Sequence, residues 1–421
     1  MKIIHFADLH IGVEAYGTVN SETGASTRID DFLNSFDRLV ELAIEEEVDL
    51  ILFCGDVYKS RTPSQTQQRE FAKRIKRLSD CNIPVHLVAG NHDVHNAAEK
   101  ATTIDIFSTL HIPFVTVSTK PSVSVIETKS GKIQVVSVPW LRRSVLLARE
   151  DVRGLDFNGI NDRMSQTINN IIETLSASLN PLLPTILAMH VWVQGCSTSS
   201  EGKMSIGNEH SLLLSSIARK EYDYVALGHI HRHQILNETP YVVYSGSLDS
   251  LDFGDEDDEK GFYLIEIDTN VAKREVKIAF KQTMGKRFLT LKAQISSDDA
   301  SPMDRIITLL ESAEDAIVGN IVRLVINTPQ DCLSKIDDQV IHKTATQKYK
   351  VSYFDITRIV QKEERVRAEG VTAESLTSQE ALEWYINRND SEYSSETKAK
   401  LLEIGKAVIS ETDEKQLCLE I

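Results

Sequence analysis

Five apolar runs in this chain each break off at a histidine or a carboxylate. The run at 2–7 is followed by "DLH" at 8–10, and that at 50–54 by "GD" at 55–56. The run at 84–89 is followed by "GNHD" at 90–93, that at 185–189 by His190, and that at 223–227 by "GHIH" at 228–231. Short, continuously apolar runs of this kind read as strands buried in a layered structure. Amphipathic segments lie between them. Residues 30–47 carry Phe32, Phe36, Leu39, Val40, Ala43 and Ile44 on one helical stripe, and residues 65–79 carry Phe71, Ile75 and Leu78. Further helices are expected near 97–110 and at 161–178, with strands at 113–117, 123–127, 133–138, 241–244 and 262–267. The mixture predicts a layered α/β sandwich with mixed sheets over the first part of the chain.

The pattern changes near residue 285. Strands at 288–294, 320–326 and 349–354, with helices at 302–312 and near 331–341, predict a small α/β unit. The residues that follow are polar and helical. Thr377 and Glu380 form a capping box, and a second helix is expected from 395 to 410. Two helices this short bury too little apolar surface to stand alone, so they need the body or a partner.

At 421 residues the chain suits two or three domains. Its five cysteines are scattered with no CxxC pair, which argues against a disulfide framework or a thiolate zinc site and fits a reducing cytoplasm. No apolar run approaches the ~18–20 residues that span a bilayer, and "MKIIHFADLH" lacks a signal-peptide layout. The net charge of −16 counts against a protein that coats nucleic acid. DNA would have to be held on local basic loops or through metal ions. "KSR" at 59–61 and "LRR" at 141–143 provide Lys59, Arg61, Arg142 and Arg143 as candidates. The acidic run "DEDDE" at 255–259 reads as a solvated loop.

The chemistry lies at the strand ends, where α/β sheets bind ligands. There the chain delivers Asp8, His10, Asp56, Asn91, His190, His229 and His231, together with His92 and Asp93. Asp56 can bridge two cations. Nitrogen and oxygen donors without sulfur suit Mn²⁺, Fe²⁺ or Zn²⁺ better than Ca²⁺. Each motif alone is an accident in most sequences; all five in order, each after an apolar run, are not. His5 and His86 sit inside strands and read as structural. His95, His111, His210, His233 and His342 fit no ligand pattern and read as exposed.

Together "DLH", "GD", "GNHD", the lone His190 and "GHIH" resemble the calcineurin-like metallophosphoesterase superfamily over roughly residues 1–270. "FADLHIG", "FCGDVYKSRTPSQTQQREFAKRI", "LVAGNHDVHNAAEKAT", "VPWLRR" and "YSGSLDSLDFGDEDDEKGF" narrow the resemblance to the SbcD branch, the nuclease subunit of the SbcCD complex. Double-strand-break-repair nucleases are its counterparts. The resemblance implies a nuclease domain at 1–282, a small α/β capping domain at 283–355, and a linker with a helical ATPase-binding segment at 356–421. It implies a 3′–5′ double-strand exonuclease and single-strand endonuclease holding two divalent ions, Mn²⁺ by expectation. Asp8, His10, Asp56 and His231 would hold one ion. Asp56, Asn91, His190 and His229 would hold the other. His92 would face the scissile phosphate, with Asp93 as its support and Gly90 allowing the sharp turn. DNA, an SbcC-type ATPase and a second copy of the chain, met through the helices near 65–78 and 97–110, are the implied partners. Some relatives carry a histidine where this chain has Lys59, and a lysine does not relay protons at neutral pH without a large pKa shift, so no acid–base role falls there.

Two cations can clamp the attacking and leaving oxygens of an in-line displacement and lower the pKa of water toward neutrality, while a protonated His92 would protonate the departing 3′ oxygen or stabilise charge on the phosphate. The alternative from the core motifs is action on small phosphodiesters or phosphomonoesters, which leaves the residues after 285 without a purpose. A non-catalytic interaction subunit on the same fold fits less well, because no ligand position is lost.

Overall fold

The apolar runs form the central strands, and the computed structural model orders twelve strands into two six-stranded sheets. It describes residues 1–20, 24, 26–95, 100–142, 154–199, 211–269, 274–361, 377–388 and 395–417. Arg143 and His210 lie outside the described residues. In chain order the first elements are β1 (Lys2–Phe6), α1 (Thr27–Glu45), β2 (Leu50–Cys54), α2 (Gln65–Asp80), β3 (Val85–Val88), α3 (Asp105–Thr109), β4 (Val115–Ser118), β5 (Ser122–Thr128) and β6 (Gly131–Val138). Next come α4 (Phe157–Ser176), β7 (Thr185–His190), β8 (Trp192–Val193), β9 (Ser211–Leu212), α5 (Leu214–Ile217), β10 (Tyr224–Gly228), β11 (Gln234–Glu238), β12 (Tyr241–Tyr244), β13 (Gly261–Ile267) and β14 (Val276–Gln282). One sheet runs β14-β13-β1-β2-β3-β4 and the other β11-β12-β10-β7-β6-β5. Both are mixed: β1 to β4 are parallel, with β13 antiparallel to β1. In the second sheet β6, β7, β10 and β12 are parallel, with β5 and β11 antiparallel at the edges.

The two-residue period of each strand builds the layers. Ile4, Phe6, Ile51, Phe53 and Leu87 pack under Phe36, Leu39, Phe71 and Ile75 of α1 and α2. Their neighbours Ile3, Leu50, Leu52 and Val88 face the other sheet and meet Ile186, Ala188, Ala226 and Val243. Ile168 and Ile172 of α4 cover Val136, Leu187 and Met189 on the far side. The result is an α/β sandwich of helices, sheet, sheet and helix, and strands buried on both faces explain the unbroken apolar runs. Ser26, Ser64 with Gln67, and Asp156 cap α1, α2 and α4, the long helices of the sandwich. The helix expected near 97–110 is described only as α3, and residues 96–99 lie outside the described residues.

His5 and His86 are buried ties between the sheets. His5 Nδ1 meets the Tyr224 hydroxyl at 3.0 Å, and His86 Nε2 meets Ser137 Oγ at 2.7 Å. Burial lowers their pKa values to about 3 and about 4. His233 is not the free surface ring expected; it is partly buried and stacks on Phe280 at 3.9 Å between ring centres.

The small α/β unit comprises β15 (Phe288–Gln294), α6 (Pro302–Ser312), α7 (Glu314–Ile317), β16 (Ile321–Pro329), α8 (Asp338–Lys343) and β17 (Tyr353–Gln361), with strand order β15-β16-β17. Ile306, Leu310, Val322, Leu324, Ile326 and Phe354 form its core. The strand expected at 349–354 is displaced to β17, because the apolar Tyr349 and Val351 enter the core from a turn. The helix expected near 331–341 is a 3₁₀ turn, Gln330–Lys335, followed by α8. Aromatic edges join this unit to the sandwich: Tyr16 meets Phe253, Phe288 and Tyr353 at 5.2–5.8 Å. Arg28 is 1% exposed beside Asp31, with its guanidinium over Phe32 and Phe288.

The acidic run 255–259 is not the solvated loop expected. Asp255 is buried and pairs with Lys260 at 3.4 Å, Glu256 accepts from the Thr290 hydroxyl at 2.6 Å, and Asp258 pairs with Arg232 and Lys260. A buried ammonium needs counter-charge, and this run supplies it.

Residues 1–360 form one compact unit and 361–421 another. The second holds α9 (Ser378–Arg388) and α10 (Ser395–Leu417). Thr377 Oγ1 and Glu380 make the expected capping box. Leu382 lies against Gly405, where a Cβ would approach it to 2.5 Å. Among the described residues no helix is long and apolar enough to cross a membrane.

Candidate metal centre

Parallel β1, β2 and β3 in one sheet and β7 and β10 in the other end at the same edge of the sandwich. The turns beyond them interlock. The backbone N–H of Asp8 donates to the Gly55 carbonyl at 2.9 Å, and those of Leu9 and His10 to the Asp56 carbonyl at 2.9 and 3.1 Å. The His190 ring, through Nδ1, bonds the Cys54 carbonyl at 2.7 Å across the two sheets. Gly55, at φ +96°, allows that approach; a Cβ there would lie 2.3 Å from His190 Nδ1.

The backbone at this edge is unusual. Asp8 (φ 51°), His10 (47°), Asp56 (66°) and His229 (100°) all occupy left-handed conformations, although none is glycine. Such conformations persist where the surroundings impose them, and they cluster at functional sites. Gly90 opens the expected turn, its carbonyl accepting the Asp93 N–H at 3.3 Å, without a left-handed φ. It is required for space: a Cβ would lie 2.2 Å from Asp56 Oδ1.

The seven residues expected as ligands fall into two overlapping groups. In the first, His10 Nε2 stands 3.1 Å from His231 Nε2, 4.0 Å from Asp8 Oδ1 and 3.8 Å from Asp56 Oδ2. In the second, His190 Nε2 stands 2.8 Å from Asn91 Oδ1 and 3.5 Å from Asp56 Oδ2, and His229 Nδ1 stands 3.2 Å from Asn91 Oδ1. Asp56 Oδ2 lies between the groups. Asp8, His10, Asp56, His190, His229 and His231 are buried.

The electrostatics favour cations. Burial lowers the His10 pKa well below its usual value against the pull of Asp56. Burial also lowers that of His231, helped by His10 and Lys260. Both rings are therefore neutral donors, and two lone pairs 3.1 Å apart call for a shared proton or a shared cation. Burial works against a charged His190, yet the Asp56 and Asp8 carboxylates raise it to about 9. Asp56 is held well below the usual carboxylate range despite its burial, by His190, His92 and His10. An anionic carboxylate shared by imidazoles and an amide oxygen fits divalent ions with mixed nitrogen and oxygen ligands. Asp8 with His10 and His231, and Asp8 with Asp56 and His190, each bring ligand atoms within 4.8 Å of one another.

His92 stands beside this cluster. Its backbone N–H donates to Asp56 Oδ1 at 2.8 Å, and its Nδ1 meets the Lys59 carbonyl at 2.8 Å. The carbonyl only accepts, so Nδ1 carries the proton; the ring also brings a ligand atom within 4.8 Å of those of His10 and Asp56. Lys59 thus contributes through its backbone, which no residue type would reveal. Asp93 does not touch the His92 ring. Its buried carboxylate accepts the N–H groups of Asp56, Val57 and Gly90 at 2.8, 3.1 and 3.0 Å, tying the β2 and β3 turns together.

Two of the basic candidates brace the loop after β3. Arg61 donates to the Asn91 carbonyl at 3.1 Å and Arg142 to the His95 carbonyl at 3.0 Å. Sequence reasoning also passed over the walls of the site. Trp140 lies 5.1 Å from the His229 ring centre and Trp192 5.9 Å. Trp140 stands in "VPWLRR", directly after an apolar strand, and that position was the available signal.

Residues 1–233 match the calcineurin-like phosphoesterase family. The SbcD subunit of nuclease SbcCD from Staphylococcus epidermidis is 26% identical over 283 residues, covering 67% of this chain and 70% of that protein. Among solved structures, a dimetal phosphatase from Danio rerio is 10% identical with a TM-score of 0.38, covering 68% of this chain and 97% of that one.

Proposed function

Because this chain belongs to the calcineurin-like phosphoesterase family, we propose that it is the DNA nuclease subunit of an SbcCD-type repair complex. The carrying observation is the double cluster around Asp56, with His92 beside it. The similarity to a subunit of the SbcCD nuclease supports nucleic acid as the substrate class. Asp8, His10, Asp56 and His231 would hold one divalent ion and Asp56, Asn91, His190 and His229 the other, with Mn²⁺ the proposed metal. Such ions stabilise charge on phosphoryl oxygens and lower the pKa of water. The chain's own groups do the rest. Asp56 keeps its negative charge between the two groups, the Lys59 carbonyl holds the His92 Nδ1 proton, and His92 in its doubly protonated form would give its Nε2 proton to the departing 3′ oxygen, leaving the neutral ring. Trp140 and Trp192 wall the site beside His229.

Residues 283–355 would cap the nuclease domain, and 356–421 would dock on an SbcC-type ATPase. The exposed Tyr385, Ile404 and Val408 of the two-helix unit support that docking. The exposed Ile106, Leu110 and Phe114 beside α2 support pairing with a second copy. Lys59, Arg61, Arg142 and Arg143 remain the proposed duplex contacts.

The test compares Mn²⁺-dependent cleavage of linear duplex DNA with hydrolysis of bis-p-nitrophenyl phosphate, with and without the ATPase subunit. DNA cleavage stimulated by the ATPase is expected. Hydrolysis of the small diester with no cleavage of DNA under either condition would move the function to small phosphoesters.

A further inference from the structure

Lys260 lies outside the ligand set, yet it touches it. It is 6% exposed, and its ammonium donates to the His231 carbonyl at 2.9 Å. Asp255 at 3.4 Å and Asp258 at 3.5 Å supply the counter-charge. The same carbonyl accepts the Ser247 N–H at 3.0 Å and the Ser247 hydroxyl at 3.4 Å. Gly246 presses so close that a Cβ there would come 2.9 Å from this oxygen. Donors from two segments remote in sequence therefore converge on one loop carbonyl, and the His231 peptide plane is pinned.

The pinned turn is the one that matters. The His231 ring faces His10 at 3.1 Å, and His229, two residues earlier, holds φ 100°. A non-glycine residue stays in that region only where its surroundings over-determine it. Desolvating an ammonium is costly, even where it is paired. A neutral donor could satisfy the same carbonyl without that cost. The chain instead buries a charge and two carboxylates behind one imidazole.

We propose that Lys260 is a positioning residue: through the His231 carbonyl it aims the imidazole that completes the Asp8–His10–His231 half of the centre. This rests on the two-cation reading above. Groups that orient a ligand typically change metal affinity by about 10–100-fold when removed. The effect here is confined to one of the two ions, because the other ion's His190, Asn91 and His229 are held by other contacts: the Cys54 carbonyl, Arg61, and the Asp8 carboxylate that accepts the His229 N–H at 2.9 Å.

The test is calorimetric titration of the metal-free full chain with Mn²⁺, followed by electron paramagnetic resonance of the Mn²⁺ pair. The wild type is expected to bind two ions. In Lys260→Met one affinity should fall about 10–100-fold while the other stays within about 3-fold, and the spin-coupled signal should give way to that of isolated Mn²⁺. A lysine that merely stabilises the fold would lower the melting temperature and leave the ratio of the two affinities unchanged. An unchanged ratio in Lys260→Met, beside two ions in the wild type, overturns the proposal. Fewer than two ions in the wild type overturns the site reading itself. Should Lys260→Met not fold, Asp255→Asn keeps the donor and loosens its anchorage. It should weaken the same single ion by about 3–10-fold, and equal effects on both ions overturn the proposal.

Discussion

The sandwich holds two kinds of buried histidine. His5 and His86 sit in mid-strand between the sheets, with both ring nitrogens engaged by protein groups: Tyr224 and the Leu227 carbonyl for one, Thr116 and Ser137 for the other. His190 closes β7 while His10, His229 and His231 sit past strand ends, and each turns a nitrogen toward Asp56, Asn91 or another imidazole. Burial alone therefore does not mark a ligand. In mid-strand the backbone is fully paired and the side chain finds its own polar partners. At the strand end, a few residues in strained conformations leave donor nitrogens facing a common space.

The comparison breaks most visibly at Asp56. Asp56→Ala should abolish phosphodiesterase activity and reduce Mn²⁺ content below two per chain, as measured by metal analysis. Retention of two ions would mean that the two groups do not share this carboxylate. His92 tests the boundary between ligand and catalyst. His92→Gln should keep two ions while activity falls about 10²–10⁴-fold, the range of general acid–base catalysis. Loss of metal in that variant would place His92 inside the ligand set.

The mid-strand histidines should respond to pH, not to metal. His86 is held at about 4 in the fold and titrates near 6.5 when unfolded. The unfolded chain therefore takes up the proton first as pH falls. The stability that the neutral ring contributes is complete above about pH 6.5 and drains away as pH drops toward 4. By pH 5 the loss is about 2 kcal/mol. Urea unfolding at pH 7 and pH 5 should show the wild type losing about 2 kcal/mol more than His86→Gln over that interval, with Mn²⁺ binding equal in both proteins. An equal pH dependence would remove His86 from the buried, neutral class.

Much of the centre was readable because its ligands are side chains of distinctive type at strand ends. Asp8, His10, Asp56, Asn91, His190, His229 and His231 all stand after apolar runs, and strand order alone brings such ends to one edge. The supporting layer was not readable. The Lys59 carbonyl that orients His92 has no signature in residue identity. The carboxylate of Asp93 looks like a partner for the neighbouring ring but serves three backbone N–H groups. Nothing local in "DEDDE" tells that Asp255 and Asp258 face a buried lysine, since an acidic run in water and one around an ammonium have the same composition. The small α/β unit shows the same limit: Tyr349 and Val351 are apolar and core-facing, but from a turn.

By itself the sequence determined the layered α/β architecture, the strands buried on both faces, and the residue types gathered at their ends. These follow from periodicity and from the chemistry of single side chains, which act over a few residues. The tertiary structure alone decided which nitrogen faces which oxygen, that four non-glycine residues of the metal centre hold left-handed backbone, that Gly90 is needed for space without a left-handed φ, and that Lys260 stands behind His231. Those outcomes depend on contacts between segments far apart along the chain. Their free energy exists only once the sheets have packed, so no local pattern could carry it.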